Sequence, residues 1–338
     1  MHNGGMTWKT CEVAKLTHTS DVLRENPLND PHIRDLFVLT PPDGLSPGER
    51  LPVVYLLAGY GARGCDLISG NALARSLPQL LGPAMEARQI PRAHVVLPDC
   101  STRYGGSQYL DSPRCGRYQS YLIDELVPFV DETFPTLGAR YRAIIGKSSG
   151  GYGAIMTAMC RPGLFDAVCA HSPDAGFEFS YLPLLPKALD TYRAHGGLGA
   201  FIADPRAIFP KDSPYMIAMS LLAMALCYAP ATATELAEEF PCDPESGVFR
   251  DDVWHRWLAL DPVRIVAEHA PALAELRLLF LDAGDRDDYA MNWGARALHA
   301  TLGRADIPHV YEEYPGGHHG VEHRLLRSLA ALSERWRL

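Results

Sequence analysis

The stretch at residues 141–153, YRAIIGKSSGGYG, constrains this chain more than any other. Ala143, Ile144 and Ile145 form an apolar run of the length one buried strand needs. Ala154, Ile155, Met156, Ala158 and Met159 then carry an apolar helix pattern. Only Gly146-Lys147-Ser148-Ser149-Gly150 lies between, so strand must turn into helix with no spacer. This is G-x-S-x-G in the setting where a serine nucleophile is held on a strained, sharp bend. Glycine is demanded on both sides because a Cβ there would meet the neighbouring strand or the incoming helix. Ser148 should project from the carboxyl end of a sheet. The N–H of Ser149 should open the helix, where the dipole favours negative charge. A glycine-rich turn whose serine merely caps the helix would look the same locally, so the other strand ends decide.

Residues 8–17 alternate weakly and residues 33–39 more clearly, as two opening strands would. The apolar runs LPVVYLLAG, AHVVLPD, DAVCAHSP, LRLLFLDAG and HVYEEYP follow. Helical patterns separate them at residues 72–88, 118–134 and 290–304, and a last one begins at Val321. Strands alternating with helices imply an α/β fold, a mostly parallel sheet covered on both faces. Function in such a sheet gathers at the carboxyl ends of the strands. The first central strand delivers Ala58-Gly59-Tyr60-Gly61, the elbow strand Ser148, and the next His171 and Asp174. The last two deliver Asp285, Asp287 and Asp288, then His318 and His319. Nucleophile, acid and histidine in that chain order, each at a strand end, is the order of an α/β-hydrolase triad.

The segments LPVVYLLAGYG, VVLPD, GSQYLDSP, YLIDELVPFVDETF, RAIIGKSSGGYGAIMTA, FDAVCAHSPD, LDAGDRD and YEEYPGGH resemble the putative-esterase branch of the α/β-hydrolases. That group includes esterase D-like and enterochelin-esterase-like enzymes. The resemblance covers most of the chain outside residues 178–270. It places the acid in the G-x-x-D segment, which makes it Asp287, with Asp285 and Asp288 as loop carboxylates or caps. It places the histidine after Y-P-G-G, which makes it His318. Relatives usually carry His-Gly after the first central strand, where this chain has Ala58-Gly59. Ser148 would then attack an acyl carbon, His318 would take its proton and Asp287 would orient the ring. Backbone N–H groups of Tyr60 and Ser149 would hold the oxyanion.

The region from about 175 to 270 is too long for a plain connection. Asp212-Ser213-Pro214 starts a helix that is apolar nearly all round and too short to span a bilayer. The expected organisation is a core of residues 1–177 and 271–338 with a helical cap at 178–270. Met216, Met219 and Met224 would give that cap an adaptable wall toward substrate. Tyr60 is a further candidate to bind substrate, and His171 and Asp174 are candidates to bind substrate or support the triad. The alternative for His171 and Asp174 is that they satisfy each other or the loop backbone.

A net charge of −9 argues against nucleic acid or an anionic membrane surface as partner. No apolar run reaches the ~18 residues of a spanning helix, and the N-terminus lacks the apolar stretch of a secretory signal. Eight scattered cysteines without metal spacing fit a reducing cytoplasm. Cys160 and Cys169 read as buried thiols, and a bridge between Cys100 and Cys115 is left open. His318, His319 and His323 lack the partners of a metal cluster, so no metal is expected. Gly59-Tyr60-Gly61-Ala62-Arg63-Gly64 spells G-x-G-x-x-G. No acid stands where a dinucleotide ribose would need one, so the segment reads as an oxyanion loop and no cofactor is expected. The expected activity is that of a serine carboxylesterase on a small-molecule ester, the oligomeric state being open. An acyltransferase with the same triad, or a non-catalytic protein on this scaffold, are the alternatives.

Overall fold

Eight strands build one sheet: β1 (Glu12–Thr19), β2 (Ile33–Thr40), β3 (Val53–Leu57), β4 (His94–Pro98), β5 (Arg142–Lys147), β6 (Ala167–His171), β7 (Leu278–Gly284) and β8 (Val310–Tyr314). Their spatial order is β1-β2-β4-β3-β5-β6-β7-β8, with β1–β2 and β2–β4 antiparallel and the remaining pairs parallel. A computed structural model describes residues 9–70, 74–230, 235–320 and 322–337.

Both faces of the central strands are buried, which is why β3, β4, β6 and β7 read as unbroken apolar runs. Helix α1 (Leu77–Glu86) packs on one face through Leu77, Leu81 and Met85. On the other face lie the segment 118–133, here α2, and α3 (Ser149–Cys160). The chain then runs through α4 (Leu185–Ala194), α5 (Ser213–Tyr228) and α6 (Asp251–Leu258). Helix α7 (Met291–Arg304) joins the α3 face and α8 (Glu322–Trp336) the α1 face.

Several expectations shift in detail. The helix expected from residue 72 starts at Leu77, and residues 71–73 lie outside the described ones. Ser76 and Gln79 form a capping box there, the Ser76 N–H donating to Gln79 Oε1 at 2.9 Å, which fixes the start. Cys169 is buried as expected, but Cys160 is exposed because it falls on the last residue of α3. Cys100 and Cys115 do not pair; Cys115 Sγ instead lies 3.6 Å from Cys227 Sγ of α5, both as free thiols.

Residues 178–270 contribute helices and turns, and no strand of the main sheet among the described residues. Asp212 caps α5 as its sequence suggests, accepting from the Tyr215 N–H at 3.0 Å. Every residue from Tyr215 to Tyr228 is buried except Met216 and Ser220. Tyr228 stacks on Phe177 with ring centroids 5.5 Å apart and meets Trp257 edge-on at 5.2 Å. The apolar residues of this segment therefore continue the core on the α3 face rather than forming a second one. No described helix is long and apolar enough to cross a membrane.

Candidate active site

Ser148 follows β5 directly with φ 56° and ψ −126°, a positive-φ conformation that costs a non-glycine residue about 1–3 kcal/mol. The surrounding packing holds it there. Its N–H donates to His171 O at 2.9 Å, and its carbonyl accepts the Tyr152 N–H at 2.9 Å to begin α3. A Cβ on Gly146 would lie 2.2 Å from the Gly150 carbonyl, and one on Gly150 would lie 2.3 Å from Leu57 O. The two glycines of the motif thus permit backbones to touch on both sides of the serine.

Strands β7 and β8 run parallel with Gly284 opposite Tyr314, so the loops that follow them are neighbours. Three aspartates in the first loop do three different things. Asp285 Oδ1 accepts the Gly316 N–H at 2.9 Å, and Asp288 Oδ2 accepts the His318 N–H at 3.0 Å. Both therefore hold backbone. Asp287 Oδ2 alone meets the imidazole, 2.8 Å from His318 Nδ1, while its Oδ1 accepts N–H groups of Tyr289 at 3.0 Å and Met291 at 3.3 Å. Burial pushes the Asp287 carboxyl up, but the His318 hydrogen bond and charge and the Tyr289 N–H outweigh it. The carboxyl ends below the usual carboxylate range. Tyr289, which the sequence did not single out, packs edge-on against His318 at 4.9 Å.

His171 sits at the end of β6 opposite Asp282 of β7. Its Nδ1 lies 2.8 Å from Asp282 Oδ1 and its Nε2 3.0 Å from Ser328 Oγ on α8. Arg324 Nε donates to the second Asp282 oxygen at 2.8 Å. The ring borders the cavity described below, but both of its nitrogens are committed to this buried network.

Asp174 does not pair with His171. It is 3 % exposed and turns to the serines. Its Oδ1 lies 3.2 Å from Ser148 Oγ; its Oδ2 accepts from Ser149 Oγ at 3.2 Å, Gln108 Nε2 at 2.9 Å and Tyr181 OH at 3.0 Å. Tyr228 OH completes the cluster, 3.0 Å from Gln108 Nε2 and 3.2 Å from Tyr181 OH. Gln108, Tyr181 and Tyr228 were not legible as site residues, because they come from three separated parts of the chain. Burial raises the Asp174 carboxyl above the usual range, the hydrogen bonds and His318 only partly opposing it. Among the described residues no hydrogen bond joins Ser148 Oγ to His318.

The loop after β3 is braced by its neighbours. Tyr109 OH donates to Ala58 O at 2.7 Å, Tyr60 OH donates to Tyr104 O at 2.7 Å, and the Gly61 N–H reaches Gly105 O at 3.3 Å. Among the described residues no acceptor takes the N–H of Tyr60 or of Ser149. A cavity of about 640 Å³ lies over these groups. Tyr60, Ser148, Ser149, Asp174 and His318 border it, as do Met216, Ser220 and Met224 of α5 and Leu56, Lys147 and Leu325. Residues 216, 220 and 224 share one helix stripe. Met219, expected on the cavity wall, lies off that stripe, is buried, and is not among the bordering residues.

A positive-φ serine between a parallel strand and its helix, with an Asp–His pair in the loops after the last two strands of this sheet order, marks the α/β-hydrolase fold. The family model described as putative esterase matches residues 32–326, and the chain belongs to that family. A curated relative, the uncharacterized protein YjcH of Bacillus subtilis (strain 168), is 39 % identical over 135 residues, covering 39 % of this chain and 52 % of that protein. The chain thus matches about half the length of that relative. A solved ferulic acid esterase superposes with a TM-score of 0.61 at 17 % identity, over 96 % of this chain and 98 % of the other. An S-formylglutathione hydrolase from Agrobacterium tumefaciens superposes with a TM-score of 0.58 at 17 % identity, over 97 % and 96 %. At such identities the likeness concerns the fold.

Proposed function

We propose that the protein hydrolyses a small-molecule carboxylic ester through an acyl-enzyme on Ser148, with His318 as base and Asp287 as its orienting acid. The observation that carries this reading is the shared cavity. It is bordered by a serine on a strained turn and by a histidine whose Nδ1 is held 2.8 Å from a buried carboxylate. With Nδ1–H donated to Asp287, the other ring nitrogen is left as the acceptor. Ser148 Oγ attacks the acyl carbon as its proton passes to His318 Nε2. The carbonyl oxygen becomes an oxyanion facing the unpaired N–H groups of Tyr60 and Ser149, each worth about 2.7–4 kcal/mol in such a role. Collapse breaks the bond to the alcohol, which leaves with the proton from His318, and water repeats the sequence to free the acid.

Residues 178–270 serve in this reading as a cap that selects the acyl or alcohol group, because Met216 and Met224 border the cavity while the reacting groups lie outside the segment. The cavity volume suits one drug-sized molecule. Turnover of a panel of p-nitrophenyl esters tests the reading. Ser148→Ala should lower kcat by about 10⁴-fold or more with an unchanged melting curve, since the triad acts as a unit. Undiminished hydrolysis by the folded variant would reject it.

A further inference from the structure

Asp174 touches the serine, yet a Ser–His–Asp mechanism leaves it without a part. Its two oxygens are not equivalent. Oδ2 is occupied by Gln108, Tyr181 and Ser149, whereas the single partner of Oδ1 among the described residues is Ser148 Oγ at 3.2 Å. The titratable groups facing the carboxyl are His318 from the loop after β8, Tyr152 from α3, Tyr181, and Tyr228 from α5, while Lys147 and Arg75 border the same cavity.

Each protonation state gives a different serine. An ionised carboxylate only accepts, so the Ser148 O–H must then point at Oδ1 and away from His318. A negative charge would also stand beside the nucleophile as the oxyanion forms. In the neutral acid, the crowding of Oδ2 puts the proton on Oδ1. Oδ1–H then donates to Ser148 Oγ and leaves the serine hydrogen free for His318.

We propose that Asp174 is a further catalytic residue that works as a neutral acid, its Oδ1–H holding Ser148 Oγ so that the serine hydrogen faces His318. This rests on the serine-esterase reading above. Burial of the carboxyl favours the required form. The step balances without a new proton transfer. The Oγ–carbon bond forms, the serine proton goes to His318, and Asp174 keeps its own proton throughout.

The active state therefore needs His318 neutral and Asp174 protonated, so kcat/KM is bell-shaped in pH whichever group has the higher pKa. Asp174→Asn should remove the high-pH limb and keep the low one, because the carboxamide oxygen can take the three donors and the Nδ2–H can replace Oδ1–H. Tyr181→Phe deletes a donor to the carboxylate, so it should move the limb that Asp174 sets upward by about half to one pH unit, the high-pH limb where Asp174 titrates above His318 and the low-pH limb where it titrates below.

The experiment measures kcat/KM for p-nitrophenyl acetate and the rate of labelling by a fluorophosphonate probe, both against pH, for the wild type and these two variants. A wild-type rate with no fall at high pH overturns the proposal. So does a fall that persists in Asp174→Asn, which would assign it to the Lys147 amine or a tyrosine. Should Asp174→Asn not fold, the wild-type limb and its displacement in Tyr181→Phe decide, and an unmoved limb counts against the proposal. Labelling at Ser148 without these limbs defeats this proposal alone, whereas no labelling at any pH defeats the esterase reading with it.

Discussion

Asparagine at position 287 would change one atom of the site and reverse the imidazole. Asp287 Oδ1 accepts two backbone N–H groups, from Tyr289 at 3.0 Å and Met291 at 3.3 Å. The carboxamide oxygen must stay with those donors, so the new NH₂ group faces His318 Nδ1 where Oδ2 had been, 2.8 Å away. Two donors cannot share that contact. The ring must turn its Nδ1 lone pair inward and carry its hydrogen on Nε2, the nitrogen that has to accept the serine proton. A wrong tautomer of this kind costs about 10⁴ in turnover, or about 5 kcal/mol at 1.36 kcal/mol per decade. Asp285 and Asp288 each give one oxygen to a backbone N–H, which an asparagine oxygen can equally accept. Asp285→Asn and Asp288→Asn should therefore lose less than about tenfold. Initial rates on p-nitrophenyl acetate, with melting curves for all three variants, make the comparison. Equal losses at the three positions, or Asp287→Asn within tenfold of wild type, would refute this assignment of the carboxylate.

The Asp287 carboxyl is held below its ordinary pKa, so its contribution to stability is present above about pH 4 and is lost as pH falls through the lowered value. Melting curves should show the advantage of wild type over Asp287→Asn shrinking on acidification and not on alkalinisation. A Cβ on Gly150 would sit 2.3 Å from Leu57 O and 2.8 Å from Ala58 O, so Gly150→Ala should destabilise by about 3 kcal/mol or fail to fold. Gly163→Ala, with φ 78° and nothing within 4 Å, should lose only about 1 kcal/mol in the same denaturant titration. Met216 is 41 % exposed and borders the cavity, so Met216→Gln should shift preference along an acyl-length series of esters by about tenfold. Met219→Leu should leave that preference unchanged, and labelling by a small phosphonate should be alike in both.

Much of the sheet was readable because its central strands are buried on both faces and their helices alternate with them. The elbow was readable for a local reason: Gly146 and Gly150 are where two backbones touch. What sequence could not separate were groups close in the chain but different in orientation. Spacing alone cannot show that Asp285 and Asp288 turn to the backbone of the next loop while Asp287 turns to the ring. Sequence placed His171 at the site from its strand end, but not the in-register Asp282 that engages it from the neighbouring strand. The surroundings of Asp174 were the least accessible. Gln108 comes from the loop after β4, Tyr181 from the turn after β6 and Tyr228 from the end of α5, so only tertiary packing brings them together. Apolar content marked α5 as buried, but the stripe containing Met216 and Met224, and excluding Met219, depends on how that helix is rotated against the core.

The central claim is that Ser148 is the residue that becomes acylated. Intact-mass analysis after incubation with a fluorophosphonate probe, followed by peptide mapping, tests it on the folded protein without knowledge of the natural ester. One adduct per chain is expected, located on Ser148, absent in Ser148→Ala and formed much more slowly in a folded variant lacking His318. An adduct that survives Ser148→Ala, or that maps to Ser149, would contradict the account.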